Sequence, residues 1–117
     1  MNLLIAEDSA PLRRMIRRIV ARADDRVFEC ADGEAALAAY VEHRPDWVLM
    51  DIKMPKMDGL AATRAICAIN PLARVVVVTS YDDPFLRSEA EVAGAVAFVV
   101  KDDLSRLRSL LAAQTVC

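Results

Sequence analysis

Five short apolar runs alternate with segments of helical period, and that alternation limits the possible folds of this chain more than any other feature. The runs are Leu3-Leu4-Ile5-Ala6, Val27 to Cys30, Trp47-Val48-Leu49-Met50, Arg74 to Thr79 and Val96 to Val100. Strands separated by helices pair in parallel and are covered on both faces, so they read as nearly unbroken hydrophobic stretches. Val75-Val76-Val77-Val78, β-branched throughout, is the plainest case. The expected fold class is therefore α/β, a doubly wound parallel five-stranded sheet.

The intervening segments carry helix signals. Ser9 can cap the first helix with Pro11 in its opening turn, and Leu12, Met15, Ile16, Ile19 and Ala23 form its apolar stripe. A second helix starts at Asp32-Gly33-Glu34, packs through Leu37, Tyr40 and Val41, and stops before Pro45. The third follows Asp58-Gly59 and carries Leu60, Ile66 and Ile69 toward Asn70-Pro71. Asp82-Asp83-Pro84 opens the fourth, and Gly94 sits where a helix end needs a left-handed residue. The fifth runs from about Asp103 through Leu104, Leu107, Leu110 and Leu111.

At 117 residues the chain reads as a single domain, 1–117, able to bury roughly two-thirds of its unfolded surface. Hydrophobic residues make up 56% of it, yet charges interrupt every apolar stretch before it could span a bilayer. Met1-Asn2-Leu3-Leu4 leads straight into a strand without a basic leader, so a cytoplasmic protein is expected, with no membrane partner. Cys30, Cys67 and Cys117 share no metal-ligand spacing with each other or with His43, which disfavours zinc and disulfides; Cys30 and Cys67 read as small buried hydrophobes. A net charge of −2 argues against direct nucleic-acid binding.

The chemistry lies at the strand ends. Asp8, preceded by Glu7, closes the first run, and Asp51 closes the third. Adjacent parallel strands lie about 4.8 Å apart and end on one rim, so these acids should converge. Three carboxylates that close repel one another, so removing one is expected to stabilise the metal-free chain. The natural occupant is Mg²⁺, a hard cation that prefers oxygen ligands and retains positions for phosphate oxygens. Asp51 could then serve as a nucleophile in phosphoryl transfer. Thr79 and Lys101 end the fourth and fifth runs on the same rim, where a hydroxyl and an ammonium can hold phosphoryl oxygens.

Taken together, Glu7-Asp8, Asp51 with Met54-Pro55 and Asp58-Gly59, Thr79, Gly94-Ala95, Phe98 and Lys101 resemble, in order and spacing, the CheY-like receiver domain of two-component response regulators. The resemblance covers essentially the entire chain. It implies a flavodoxin-like (βα)5 fold with strand order 2-1-3-4-5. It makes Asp51 the phosphoacceptor, Glu7 and Asp8 metal-site acids, and Lys53 a metal ligand through its backbone carbonyl. Thr79 becomes the switch hydroxyl, Phe98 the switch aromatic and Lys101 the phosphate-contacting lysine. The implied partners are a histidine kinase or phosphotransfer protein as donor, and a downstream protein or second copy at the face of the fourth helix, fifth strand and fifth helix. On phosphorylation Phe98 is expected to turn inward as Thr79 moves. Lys101 is followed by Asp102-Asp103 where many receivers have a cis-proline, which is similar to receivers of NarL/LuxR-type regulators. Lys53 and Tyr81 occupy positions that tune dephosphorylation in the family.

The reading is a phosphorylation-dependent signalling switch and not a turnover enzyme. A haloacid-dehalogenase-type phosphatase also uses a strand-end aspartate, but needs a second carboxylate two residues on, where this chain has Lys53. A flavin module would need a hydroxyl- or glycine-rich phosphate loop where Glu7-Asp8-Ser9-Ala10-Pro11 stands. A phosphate sink without output is the remaining alternative. Arg13, Arg14, Arg17, Arg18 and Arg22 read as a solvated face that could also meet an acidic partner, His43 as a surface residue, and Trp47 as a packing residue and fluorescent reporter.

Overall fold

The computed structural model describes residues 1–115; Cys117 lies outside them. Strands and helices alternate as β1 (Asn2–Ala6), α1 (Ala10–Val20), β2 (Arg26–Cys30), α2 (Gly33–His43), β3 (Trp47–Met50), α3 (Gly59–Ile69), β4 (Val75–Thr79), α4 (Pro84–Ala93), β5 (Ala97–Val100) and α5 (Ser105–Thr115). All strand pairs are parallel, in the order β2-β1-β3-β4-β5. This is the flavodoxin-like doubly wound sheet that the apolar runs and the resemblance imply.

Alternation along each strand divides the core. Leu3, Ile5, Trp47, Leu49, Val76, Val78 and Val99 face α1 and α5, where Ile16, Val20, Leu104, Leu107 and Leu111 meet them. Leu4, Ala6, Val48, Met50 and Val75 face Ala36, Tyr40, Ala62 and Ile66 of α2 and α3. A smaller group, Ile52, Val77, Ala90 and Phe98, seats α4. The register pairs Ala6 with Met50, so the residues that follow, Glu7 and Asp51, emerge side by side.

The helix starts follow their capping residues. Asp32 and Asp58 accept from the Ala35 and Ala61 amides at 2.7 and 2.8 Å, whereas the Ser9 cap on Leu12 is longer at 3.4 Å. Gly94 ends α4 at φ 110°, as its position in the sequence suggests. Other details depart from expectation. The α1 stripe ends at Val20, and Ala23 lies beyond the helix, because Arg22 and Asp25 close a tight loop: the Asp25 carboxylate accepts from the Arg22 amide at 2.8 Å and the Asp25 amide donates to the Arg22 carbonyl at 3.1 Å. Met15, Val41 and Ile69 are about half exposed, each lying on the flank of its helix and outside the buried stripe. Cys30 and Cys67 are half-buried rather than buried. β4 and β5 begin one residue later than expected, at Val75 and Ala97, and Lys101–Asp103 form a 3₁₀ turn before α5, which starts at Ser105 rather than Asp103. None of the described peptide bonds is cis, so Lys101 leads into that turn through a trans peptide.

Candidate functional site

The site is made by strand ends. The Glu7 amide donates to the Cys30 carbonyl at 3.0 Å and the Asp51 amide to the Ala6 carbonyl at 2.9 Å, so the sheet's hydrogen bonding continues into both acids. Carboxylate oxygens of Glu7, Asp8 and Asp51 lie within 4.8 Å of one another, with Glu7 and Asp51 buried and Asp8 exposed. Asp8 thus faces solvent, while Glu7 and Asp51 lie behind it.

Lys101 reaches into this cluster from the end of β5. Its ammonium sits 2.6 Å from Glu7 Oε1 and 3.3 Å from Asp51 Oδ1. Burial alone would lower its pKa, but the bond to Glu7 and the charge of Asp51 outweigh burial and hold it above the ordinary lysine value. Asp8 is shifted upward, first by the hydrogen bond it shares with Glu7 and then by partial burial, so the cluster favours a proton or a cation there. Beyond the lysine, Glu7 Oε1 has no hydrogen-bond partner among the described residues. Asp51 Oδ1 also accepts from the Ile52 amide at 2.9 Å, while Oδ2 makes no hydrogen bond there. An all-oxygen donor set, a buried carboxylate oxygen lacking a neutral donor and a free Asp51 oxygen together suit a hard divalent cation. Asp51 is partnered by Lys101 and Ile52 while standing within 4.8 Å of the other two acids, so attraction and repulsion meet at the same carboxylate.

Thr79 and Phe98 stand on the same side of the sheet end, both buried. The Thr79 hydroxyl accepts from the Tyr81 amide at 3.3 Å. Phe98 is already inside, 5% exposed, beneath the Arg87 guanidinium of α4 at 4.6 Å, and Arg106 of α5 donates to its carbonyl at 3.1 Å. Inward rotation is therefore not required to bury this ring. Lys53 and Tyr81 are brought together, the ammonium 4.2 Å from the ring centre, so that one lysine ties the loop after β3 to the loop after β4. Beside them an open groove of about 600 Å³ is lined by Asp8, Ile52, Lys53, Met54, Pro55, Asp58, Leu60 and Leu86.

A family model of the response regulator receiver domain matches residues 3–112. The chain belongs to the response regulator receiver domain family. Over 101 residues this receiver is 38% identical to the chemotaxis protein CheY of Thermotoga maritima, covering 86% of this chain and 84% of that one. Its fold superposes on a two-component response regulator of the LuxR family from Aurantimonas sp. SI85-9A1 with a TM-score of 0.89, at 30% identity over 97% of this chain and 83% of that one. It also superposes on a CheX–CheY–BeF3–Mg²⁺ complex from Borrelia burgdorferi, with a TM-score of 0.87 and 29% identity, covering 100% of this chain and 90% of that one. The receiver is a phosphorylation-dependent signalling switch of the two-component type.

Sequence reasoning placed Glu7, Asp8, Asp51, Thr79 and Lys101 on one rim, and they are there. It missed how three arginines are used. Arg13 and Arg17, grouped as part of a solvated face, both bind Glu29 of β2, at 2.9 and 2.6 Å, whereas Arg14 and Arg18 are exposed and form no ion pair among the described residues. Arg87 roofs Phe98 while paired with Asp82 at 2.9 Å. A signal was available for Arg13, since side chains in a helix lean toward its N-terminus and a long cation in the first turn can reach back over the loop before it. Among the described residues, no helix is long and apolar enough to cross a membrane.

Proposed function

We propose that Asp51 accepts the phosphoryl group, with Glu7, Asp8, Asp51 and the backbone carbonyl of Lys53 as the ligand set for Mg²⁺. The observation that carries this reading is the convergence of the three carboxylates within 4.8 Å around an ammonium. Mg²⁺, when bound, supplies positive charge against the phosphoryl oxygens. One carboxylate oxygen of Asp51 attacks phosphorus, leaving the other for the cation; the O–P bond forms as the donor's N–P bond breaks, and the departing imidazole takes up a proton. Lys101 and the Thr79 hydroxyl then hold phosphoryl oxygens. Thr79 accepts from the Tyr81 amide at 3.3 Å, which leaves its own O–H to donate to a phosphoryl oxygen.

The donor in this reading is a histidine kinase or phosphotransfer protein. The Borrelia CheX–CheY complex contains BeF3 and Mg²⁺, which supports the same chemistry. Movement of Thr79 reaches Phe98 on the neighbouring strand, and through it the α4/β5/α5 face, where a downstream protein or second copy docks. Turnover chemistry has no support: the position that would supply a second acid is Lys53, whose ammonium rests on Tyr81. We read the protein as cytoplasmic. Incubation with acetyl phosphate and Mg²⁺, followed by intact-mass measurement, should show a single added phosphoryl group that Asp51→Asn abolishes. Labelling that persists in Asp51→Asn would move the acceptor elsewhere.

A further inference from the structure

Every polar group of Glu7 is engaged, and one partner comes from outside the acidic rim. Its amide donates to the Cys30 carbonyl at 3.0 Å, its Oε2 accepts from the Ser9 amide at 3.1 Å, and its Oε1 meets Lys101 at 2.6 Å. The remaining group, the Glu7 carbonyl, accepts from Arg13 Nη1 at 2.6 Å. That carbonyl belongs to the peptide joining Glu7 to Asp8, so whatever fixes its direction fixes where the Asp8 side chain begins. Arg13 is itself held: its Nε donates to Glu29 Oε1 at 2.9 Å, and Glu29 is steadied on its other oxygen by Arg17. A planar guanidinium suits this, because its forked donors reach two acceptors in one fixed geometry.

We infer that Arg13 is a positioning residue for the cation site: anchored on Glu29 of β2, it clamps the Glu7–Asp8 peptide so that both carboxylates present their oxygens together. The inference rests on the metal reading given above. It makes a prediction opposite in sign to simple electrostatics. Arg13 is a positive charge beside an acidic cluster, so by Coulomb's law alone its removal would strengthen the binding of a divalent cation. If it positions the acids, its removal weakens binding, and loss of such an outer partner typically costs about 10–100-fold in metal affinity.

Mg²⁺ is titrated into the whole chain, following the amide resonances of residues 7–9, for wild type, Arg13→Ala, Arg13→Lys and Arg17→Ala. Arg17 shares Glu29 but makes no bond to the Glu7 carbonyl, so Arg17→Ala carries the same charge change without the clamp. Arg13→Ala should raise the Mg²⁺ dissociation constant about 10-fold or more. Arg17→Ala should leave it unchanged or slightly lower. Arg13→Lys keeps the charge and should also bind more weakly, and it serves if the alanine variant does not fold. In EDTA the Ser9 amide, held by Glu7 Oε2, should exchange faster in Arg13→Ala than in wild type. An unchanged or lower dissociation constant in both Arg13 variants, or unchanged Ser9 exchange, overturns the inference. Wild-type protein that ignores millimolar Mg²⁺ would sink the metal reading alone, and the exchange comparison would then decide the role of Arg13.

Discussion

Asp8 shows how a single exposed carboxylate can tie stability to pH. Its pKa lies above the ordinary aspartate value in the folded chain, chiefly through the bond it shares with Glu7. A raised value means that the folded state binds the proton more tightly than the unfolded one. The associated stability is therefore fully present below the ordinary aspartate pKa and lost as pH rises through the folded value. Glu29 has the opposite sign: burial pushes it up, but the bonds from Arg17 and Arg13 outweigh burial and hold it low, so its contribution fades in acid. In EDTA, Asp8→Asn should gain stability over wild type at neutral pH and lose that advantage as pH falls; parallel melts at the two pH extremes check it, and an advantage that does not vary with pH would contradict the assignment. The acids, the hydroxyl and the lysine were legible in the sequence because a parallel sheet ends its strands on one rim. Arg87 and the Lys53–Tyr81 contact were not, because each depends on where a long flexible side chain is directed, which spacing alone does not encode; Arg13 was legible only through the lean of helical side chains toward the N-terminus.

The loop after β3 and the start of α3 are built against each other with no room to spare. The Gly59 amide donates to the Ile52 carbonyl at 2.8 Å, and a Cβ added at Gly59 would stand 1.8 Å from the Asp51 carbonyl oxygen. That neighbour is backbone, which cannot swing aside as a side chain can. Gly59→Ala should therefore cost at least the upper part of the 1–3 kcal/mol range typical of overpacking, about 3 kcal/mol, and displace the main chain of Asp51. A melting point lowered by several degrees together with reduced acetyl phosphate labelling would show this, whereas normal labelling would mean that the strain relaxes into α3 instead. The sequence marked this helix start through Asp58-Gly59, but not that the same glycine abuts Asp51, the proposed phosphoacceptor. The end of α1 was misjudged for a related reason. No glycine or proline marks Val20, and the break comes from the Asp25 side chain bonding to the Arg22 backbone, a local competition that apolar periodicity does not register.

Across the molecule, the acidic rim and the apolar layers are separate: the sheet is held by clusters on its two faces, and the three acids lie at one end of it. A cation that binds only the assembled rim adds to the stability of the fold by mass action, roughly 2.7 kcal/mol at 100 times its dissociation constant. The melting temperature should rise with millimolar Mg²⁺, and the rise should shrink in Asp8→Asn; a melting curve indifferent to Mg²⁺ would remove the cation from the site. The separation also decides what the chain's own chromophore can see. Trp47 opens β3 and Asp51 follows its last residue, so at about 3.3 Å per residue the indole's backbone lies roughly 13 Å from the acids. The ring is packed in the α1/α5 layer with the Arg74 guanidinium 4.6 Å from it. Tryptophan emission should consequently report loss of that layer on unfolding while staying nearly constant through a Mg²⁺ titration, so an optical assay of the rim needs a dye or a second indole placed near Asp8.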